Sequence, residues 1–176
     1  MKITAQEEYG VRCLLRLSET DGQSLTLPDL AAAEGLSIPY VAKLMAVLKQ
    51  AGLVDSERGR TGGYRLARPP AEIGLGSLLL QLGEPLFDEP SYCQKHAGQA
   101  EDGVCVHQGG CSLRALWQTL ESWMRGTLDQ ITLADLLQNE GQITELLRAK
   151  LAGTVFDDPV PLLTLDVGAL AEKSKR

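Results

Sequence analysis

The stretch SIPYVAKLMAVLKQAGLVDSERGRTGGYRLAR, residues 37–68, decides how the chain is read. Ser37 is a residue type that caps helix N-termini, because its hydroxyl can accept from an otherwise orphaned amide. Behind it Val41, Leu44, Met45 and Leu48 recur on one face of a helical period, and Gly52 closes a helix of about 14 residues. Leu53-Val54 then opens a strand, Arg58-Gly59-Arg60-Thr61-Gly62-Gly63 makes a basic glycine-rich turn, and Tyr64-Arg65-Leu66 returns as a second strand. The glycines are expected to let the hairpin tip turn tightly. The arginines can enter a minor groove or pair with phosphates.

Upstream, Gly10, Cys13, Leu14 and Leu17 fall at i, i+3, i+4 and i+7, with Val11 and Leu15 widening the stripe, so the first run is helical. Asp21-Gly22 breaks it. Pro28 suits a first helical turn, and the short helix it opens stops at Gly35, the left-handed position. A short helix, a tight glycine turn, a capped second helix and a hairpin make a winged helix-turn-helix. In that plan Ser37, Pro39, Tyr40 and Lys43 lie at the start of the recognition helix and face the major groove. The wing contributes Arg58, Arg60, Thr61, Gly62, Gly63 and Tyr64. Tyr40 can also be read as a packing residue, and Lys49 as a solvated end charge.

Charge supports this reading despite the overall balance of −6. Residues 37–70 hold Lys43, Lys49, Arg58, Arg60, Arg65 and Arg68 against Asp55 and Glu57, a local +4 that leaves −10 on the rest. A basic patch on an acidic body is the electrostatic footprint of a DNA-binding module joined to something else. Aromatic residues are only 5 %, which argues against a β-sandwich or an aromatic-lined carbohydrate or RNA surface. The first ten residues contain no apolar segment of a signal peptide, and no stretch approaches the roughly 20 apolar residues of a membrane span. The expectation is a cytoplasmic protein with no membrane partner. No hydrolytic or transfer constellation and no phosphate-binding glycine motif is visible, so an enzyme is not expected.

Four cysteines without a secretory signal read as metal or redox ligands before disulfides. Three of them, Cys93, Cys105 and Cys111, lie in or just after a segment, 88–110, that loses periodicity and carries Pro90, Gly98, Gly103, Gly109 and Gly110. Their spacing is C-x11-C-x5-C, and both histidines, His96 and His107, share the segment. Thiolates and imidazoles together suit soft or borderline metals. Zinc could use the three cysteines with His96 or His107. Bare thiol switching is disfavoured by the neighbouring Glu101 and Asp102, whose charge raises thiol pKa values. Cys13, on an apolar stripe, reads as a small core hydrophobe.

After Cys111, Ser112 is expected to cap a helix bearing Leu113, Leu116, Trp117, Leu120, Trp123, Met124, Leu128 and Ile131. From 112 to 130 it would run about 28 Å at 1.5 Å per residue. Such a stripe is too long and too aromatic for one small winged domain to cover, and an antiparallel pair with a second subunit would bury it. Helix amides just after Cys111 favour a thiolate or an anionic cluster. Residues 132–137 read as a short helix packed back on the body, and 144–152 as helical. The chain breaks at 157–161, before a tail expected to be mobile.

The segments MKITAQEEYGVRCLLRL, LSIPYVAKLMAVLKQAGLV and above all RGRTGGYRLAR resemble the IscR/NsrR family of bacterial transcription regulators (the Rrf-two superfamily). IGLGSLLLQLGE, CSLRALW and ITLADLL fit the same plan, so the resemblance covers about residues 1–140. It implies a homodimer on a pseudo-palindromic site in double-stranded DNA, with an N-terminal winged helix and a long dimerisation helix. It also implies an iron–sulfur cluster on Cys93, Cys105 and Cys111 that sets DNA affinity in response to redox state, iron or nitric oxide. Two departures bear on the site. Family members have five residues in both cysteine gaps, whereas the first gap here has eleven. The histidine that IscR-like members place three residues after the last cysteine is Arg114, whose guanidinium cannot ligate. NsrR-like members use an N-terminal acid from the other subunit, and Glu8 stands at that position. The implied fourth ligand is therefore Glu8, with His107 its rival, and [2Fe–2S] is preferred over [4Fe–4S].

The expected architecture is thus mostly α. A winged-helix DNA-binding domain occupies 1–84 and a cysteine-bearing cluster loop 85–111. The dimerisation helix and a packing helix fill 112–140, and 141–176 is a C-terminal extension. The alternative keeps the same fold and DNA function without Fe–S, using thiol oxidation or structural zinc at the same cysteines.

Overall fold

The computed structural model describes residues 3–20, 22–57, 59, 62–85, 87, 92, 93, 95, 96, 105, 107 and 110–151. Thr4 opens α1 (Ala5–Ser18) with a reciprocal cap. Its hydroxyl accepts from the Glu7 amide at 3.2 Å, and the Glu7 carboxylate accepts from the Thr4 amide at 2.7 Å. Gly10, Cys13, Leu14 and Leu17 are the buried face, as their spacing requires. The same box, Thr26 with Asp29, opens α2 (Leu27–Glu34), which has Pro28 in its first turn and stops at Gly35 with φ 64°. α3 (Ile38–Gln50) buries Val41, Leu44, Met45 and Leu48.

Ser37 holds the N-cap position of α3, yet its side chain makes no capping hydrogen bond. The reason lies two residues on: Pro39 has no N–H to offer. The next amide, Tyr40 N–H, donates instead to the Ser37 carbonyl at 3.1 Å.

β1 (Val54–Ser56) and β2 (Tyr64–Leu66) pair antiparallel, with Val54 opposite Leu66, Asp55 opposite Arg65 and Ser56 opposite Tyr64. A third segment joins them. Leu25 exchanges both backbone hydrogen bonds with Tyr64, at 2.9 and 2.8 Å, so the wing is tied to the turn before α2. The wing glycines do not act alike. Gly59 has φ 122°, the left-handed side that favours glycine, whereas Gly63 is required by close approach to Leu25 rather than by a tip turn.

A 3-10 turn (Pro70–Glu72) leads to α4 (Leu75–Leu82), which packs on α1 and on the long helix α5 (Ser112–Leu128). The first residue of α5 is Ser112 and its cap is Cys111, whose sulfur accepts from the Arg114 amide at 3.4 Å. The expected serine cap is thus displaced by one residue. α5 also ends before Ile131, which is buried.

The chain returns on itself where α5 ends. Gly74, at the cap of α4, has no side chain to offer, and Asp129 substitutes for it from the end of α5. Its carboxylate accepts from the Ser77 amide at 2.8 Å and the Ser77 hydroxyl at 3.0 Å. Leu75 N–H donates to Ile131 and Leu133 N–H to Ile73, at 2.8 and 2.9 Å. Leu133 completes the core formed by α1, α3 and α4. A 3-10 turn (Asp135–Leu137) follows, and α6 (Glu140–Leu151) begins earlier than its sequence pattern indicates. Lys150 fastens α6 to the body through Asp135 at 2.6 Å. The break at 157–161 and the tail lie outside the described residues. The architecture is a winged helix-turn-helix carrying a long additional helix.

Candidate functional site

The helix-turn-helix presents an uneven surface. Ser37, Pro39 and Lys43 are exposed on the first turns of α3, available to a groove. Tyr40 is half-buried and meets Tyr9 edge-on at 6.1 Å, so the packing reading holds for its ring. Lys49 is more than an end charge: its ammonium donates to the Ser56 hydroxyl at 2.5 Å and links α3 to β1. In the wing, Arg65 pairs with Glu57 at 2.9 Å, which fixes the guanidinium along the strand. Gly62, Gly63 and Tyr64 are half-buried at the base of the hairpin. Arg58, Arg60 and Thr61 lie outside the described residues.

The cysteines separate into two environments. Cys13 is fully buried in the core, and burial pushes its thiol up to about 11, so it stays protonated and inert. Cys93, Cys105 and Cys111 are half-buried free thiols. Cys93 lies on a helical turn closed by the His96 amide donating to the Tyr92 carbonyl at 3.1 Å. Cys111 occupies the cap of α5, where its sulfur already receives one amide. His107 is exposed, and its carbonyl accepts from the Gly110 amide at 3.2 Å. Among the described residues, no three His, Cys, Asp or Glu side chains converge on a point that could hold a metal ion.

Glu8 projects from α1 and is paired with Arg12, with Arg12 Nε and a terminal guanidinium nitrogen both 2.8 Å from Glu8 Oε1. It also borders a groove of about 550 Å³ between α1, α4 and α5, whose lining includes Val11, Leu75, Leu79 and Met124. Beside that groove, α5 exposes Leu113 (56 %), Leu116 (47 %), Leu120 (36 %) and Trp123 (47 %) in one continuous stripe. Scattered apolar residues on a surface need no explanation, but a row of four along a helix does.

Several structural partners escaped the sequence reading. Leu25 and Asp129 act across the fold and leave no local pattern. The boxes at Thr4, Thr26 and Thr132 do leave one: a threonine followed three residues later by an acid, as in the 2.8 Å bond from the Thr132 amide to Asp135.

A recognition helix and a tethered wing define a DNA-binding transcription regulator of the winged-helix class. The chain belongs to the Rrf2 family: a family model described as an iron-dependent transcriptional regulator matches residues 3–139. The chain is 36 % identical over 152 residues to the HTH-type transcriptional regulator NsrR of Geobacillus kaustophilus, covering 85 % of this chain and 99 % of that protein. Among solved structures it is similar to T. potens IscR, with 32 % identity, a TM-score of 0.57 and coverage of 78 % and 86 %. It is also similar to the oxidised form of Staphylococcus aureus CymR, with 27 % identity, a TM-score of 0.55 and coverage of 79 % and 98 %. These relatives are regulators and not enzymes. Among the described residues, no single helix is long and apolar enough to cross a membrane.

Proposed function

We propose that this regulator works as a homodimer on a pseudo-palindromic operator in double-stranded DNA, and that an iron–sulfur cluster held by Cys93, Cys105 and Cys111 sets its affinity. The observation that carries the reading is the position of Cys111. The thiol caps the helix that bears the exposed stripe of Leu113, Leu116, Leu120 and Trp123, so whatever binds the thiol bears on the helix suited to a second copy. Three free thiols, with two histidines in the same stretch of sequence, are donor types whose chemistry suits iron. When bound, the cluster supplies a redox-active and chemically labile centre, and [2Fe–2S] is the preferred type.

The chain's own residues transmit the state. Asp129 and Leu133 bolt the far end of α5 onto α4 and the winged core, so a tilt of α5 moves the recognition helix with it. In a dimer this changes the separation of the two recognition helices, and DNA selects the arrangement matching its half-site spacing. Pro39 and Lys43 face the major groove. Arg58, Arg60 and Thr61 contact the phosphates or the minor groove in this reading, together with Gly62, Gly63 and Tyr64. Glu8, delivered from a second subunit, is the fourth donor implied by the family resemblance, although it must first leave Arg12.

The test is anaerobic purification followed by the visible spectrum with iron and sulfide analysis. Coloured protein with equimolar iron and acid-labile sulfide is expected. Colourless protein with stoichiometric zinc overturns the cluster reading. A second reading, thiol oxidation at the same cysteines, draws support from the similarity to a CymR solved in an oxidised form. It predicts colourless, metal-free protein whose DNA affinity changes on reversible oxidation.

A further inference from the structure

The outward face of α3 carries few groups that can form a hydrogen bond with a base edge. Val41, Leu44, Met45 and Leu48 turn into the core, which leaves Ile38, Pro39, Lys43 and Ala46 exposed and Ala42 half-buried. Of these outward side chains only that of Lys43 is polar. Ile38, Ala42 and Ala46 recur every fourth position and form one row along the helix, with Pro39 and Lys43 in the row beside it. Tyr40 packs its ring edge-on against Tyr9. Ile38 is 47 % exposed at the first residue of the helix, where half of a large apolar side chain stays in water. One such residue on a surface needs no explanation, but an apolar row at the reading end of a recognition helix does.

The major groove offers this row one feature to read. Each base shows hydrogen-bonding atoms there, and of the four only thymine adds a methyl group. Isoleucine, proline and alanine side chains neither donate nor accept, so the methyl group is what they can distinguish. Its burial against carbon removes both surfaces from water. Cytosine in the same place would set its amino donor against carbon with no partner, which turns the row against that base. The alanines are short and let the helix come close to the base edges.

We infer that Ile38, with Pro39 and Ala42 beside it, is a specificity-determining residue that reads thymine methyl groups in the operator. Lys43, at the edge of the same patch, supplies the charge that draws the helix to DNA. This rests on the reading above that α3 enters the major groove.

The experiment uses the anaerobically purified full chain, in the state that binds DNA more tightly. It first selects preferred duplexes from a random library, then binds them by fluorescence anisotropy with single thymines replaced by deoxyuridine. Uracil pairs as thymine does and lacks only the methyl group. At one or more positions in each half-site the replacement should weaken binding about fourfold, the equivalent of about 0.8 kcal/mol for one buried methyl group. Ile38→Ala should largely abolish that penalty, and Ile38→Val should retain much of it, a rescue that a merely structural role would not give. Wild-type protein that binds every uracil duplex as tightly as its thymine parent overturns the proposal, as does a penalty undiminished in Ile38→Ala. If Lys43→Ala still changes the selected sequence in either case, α3 lies in the groove and only the methyl reading falls. Selected sequences unchanged by both Lys43→Ala and Ile38→Ala remove α3 from the groove, and this inference falls with the reading it rests on.

Discussion

A Cβ placed on Gly63 would lie 2.5 Å from the carbonyl oxygen of Leu25, closer than any side chain can approach a backbone atom. The contact is the hinge of the wing. Leu25 also holds Tyr64 by two backbone hydrogen bonds, so the hairpin is referenced to the turn before α2 and not merely to its own strands. Gly63→Ala must push these backbones apart, and overpacking of this kind costs about 1–3 kcal/mol. Urea denaturation should show that loss, together with weaker DNA binding. Gly126 is the matched control. It lies in α5 with nothing within 4 Å of its added Cβ, so Gly126→Ala should stabilise by about 0.5–1 kcal/mol through helix propensity. Equal stability in the two variants would remove the close-approach argument.

The elements of the winged domain were legible because local rules and burial agree there. Cys13, Leu14, Leu44 and Leu48 follow the helical period and are all buried. Tyr64-Arg65-Leu66 is a strand as its flanking turn implies. What escaped reading was nonlocal or depended on a missing atom. Ser37 is the right residue at the right place, and Pro39 removes the amide it would have capped. Cys111 takes the cap expected of Ser112 because a thiol can also accept from an amide, a use that composition does not advertise. Asp129 caps a helix 52 residues away, which no window along the chain can show. The ring of His96 owes its orientation to a carbonyl, and carbonyls carry no sequence signature.

DNA binding should follow the cations of the proposed interface. Lys43→Ala is expected to change sequence preference, and Arg60→Ala to weaken binding to all sites or to those with a narrow minor groove. Each contact typically contributes about 1–3 kcal/mol, and each lost phosphate contact lowers the salt dependence by about one. Lys49→Ala should act differently, because its ammonium is engaged with Ser56 and its removal loosens α3 against β1. Fluorescence anisotropy across a salt series measures all three. Unchanged affinity and slope in the Lys43→Ala, Arg60→Ala double variant would exclude this surface.

The stripe on α5 makes oligomeric state a sharp test. Leu120 is 36 % exposed in the single chain, so Leu120→Asp should leave the fold intact. In a helix pair the same aspartate would be buried without a partner, at a cost of several kcal/mol. Sedimentation velocity should therefore show a monomer with unchanged helical circular dichroism. A persisting dimer would move the interface elsewhere, to the groove lined in part by Val11, Leu79 and Met124.

Cys13 gives stability a pH dependence of known sign. Its thiol is pushed from 9.0 to about 11, chiefly by burial and secondarily by the Glu34 carboxylate. The folded state therefore keeps a proton that the unfolded chain releases, and stability falls as pH rises from about 9 toward 11. Below pH 9 the contribution is fully present. Cys13→Ala should flatten the denaturation midpoint over that window, while lowering stability throughout by opening a small cavity. An identical slope in wild type and variant would show that other groups govern the alkaline limb.

Cys111 carries two roles that one substitution can separate. As the cap of α5 its sulfur accepts from the Arg114 amide at 3.4 Å, and as a proposed ligand it would bind iron as a thiolate. Serine is among the best capping residues but a poor ligand for cluster iron. Cys111→Ser should therefore keep the start of α5, with thermal stability of the metal-free protein equal to wild type or slightly higher. It should nonetheless lose the visible absorption of the anaerobically reconstituted protein. Cys111→Ala should lose both the absorption and about 1 kcal/mol of stability, the usual cost of removing a helix cap. Cys93→Ala and Cys105→Ala should also bleach the protein, whereas Cys13→Ala should leave its colour unchanged. Full absorption retained in Cys111→Ser would show that this cysteine serves only the helix, and the proposed link from cluster to dimer helix would be lost.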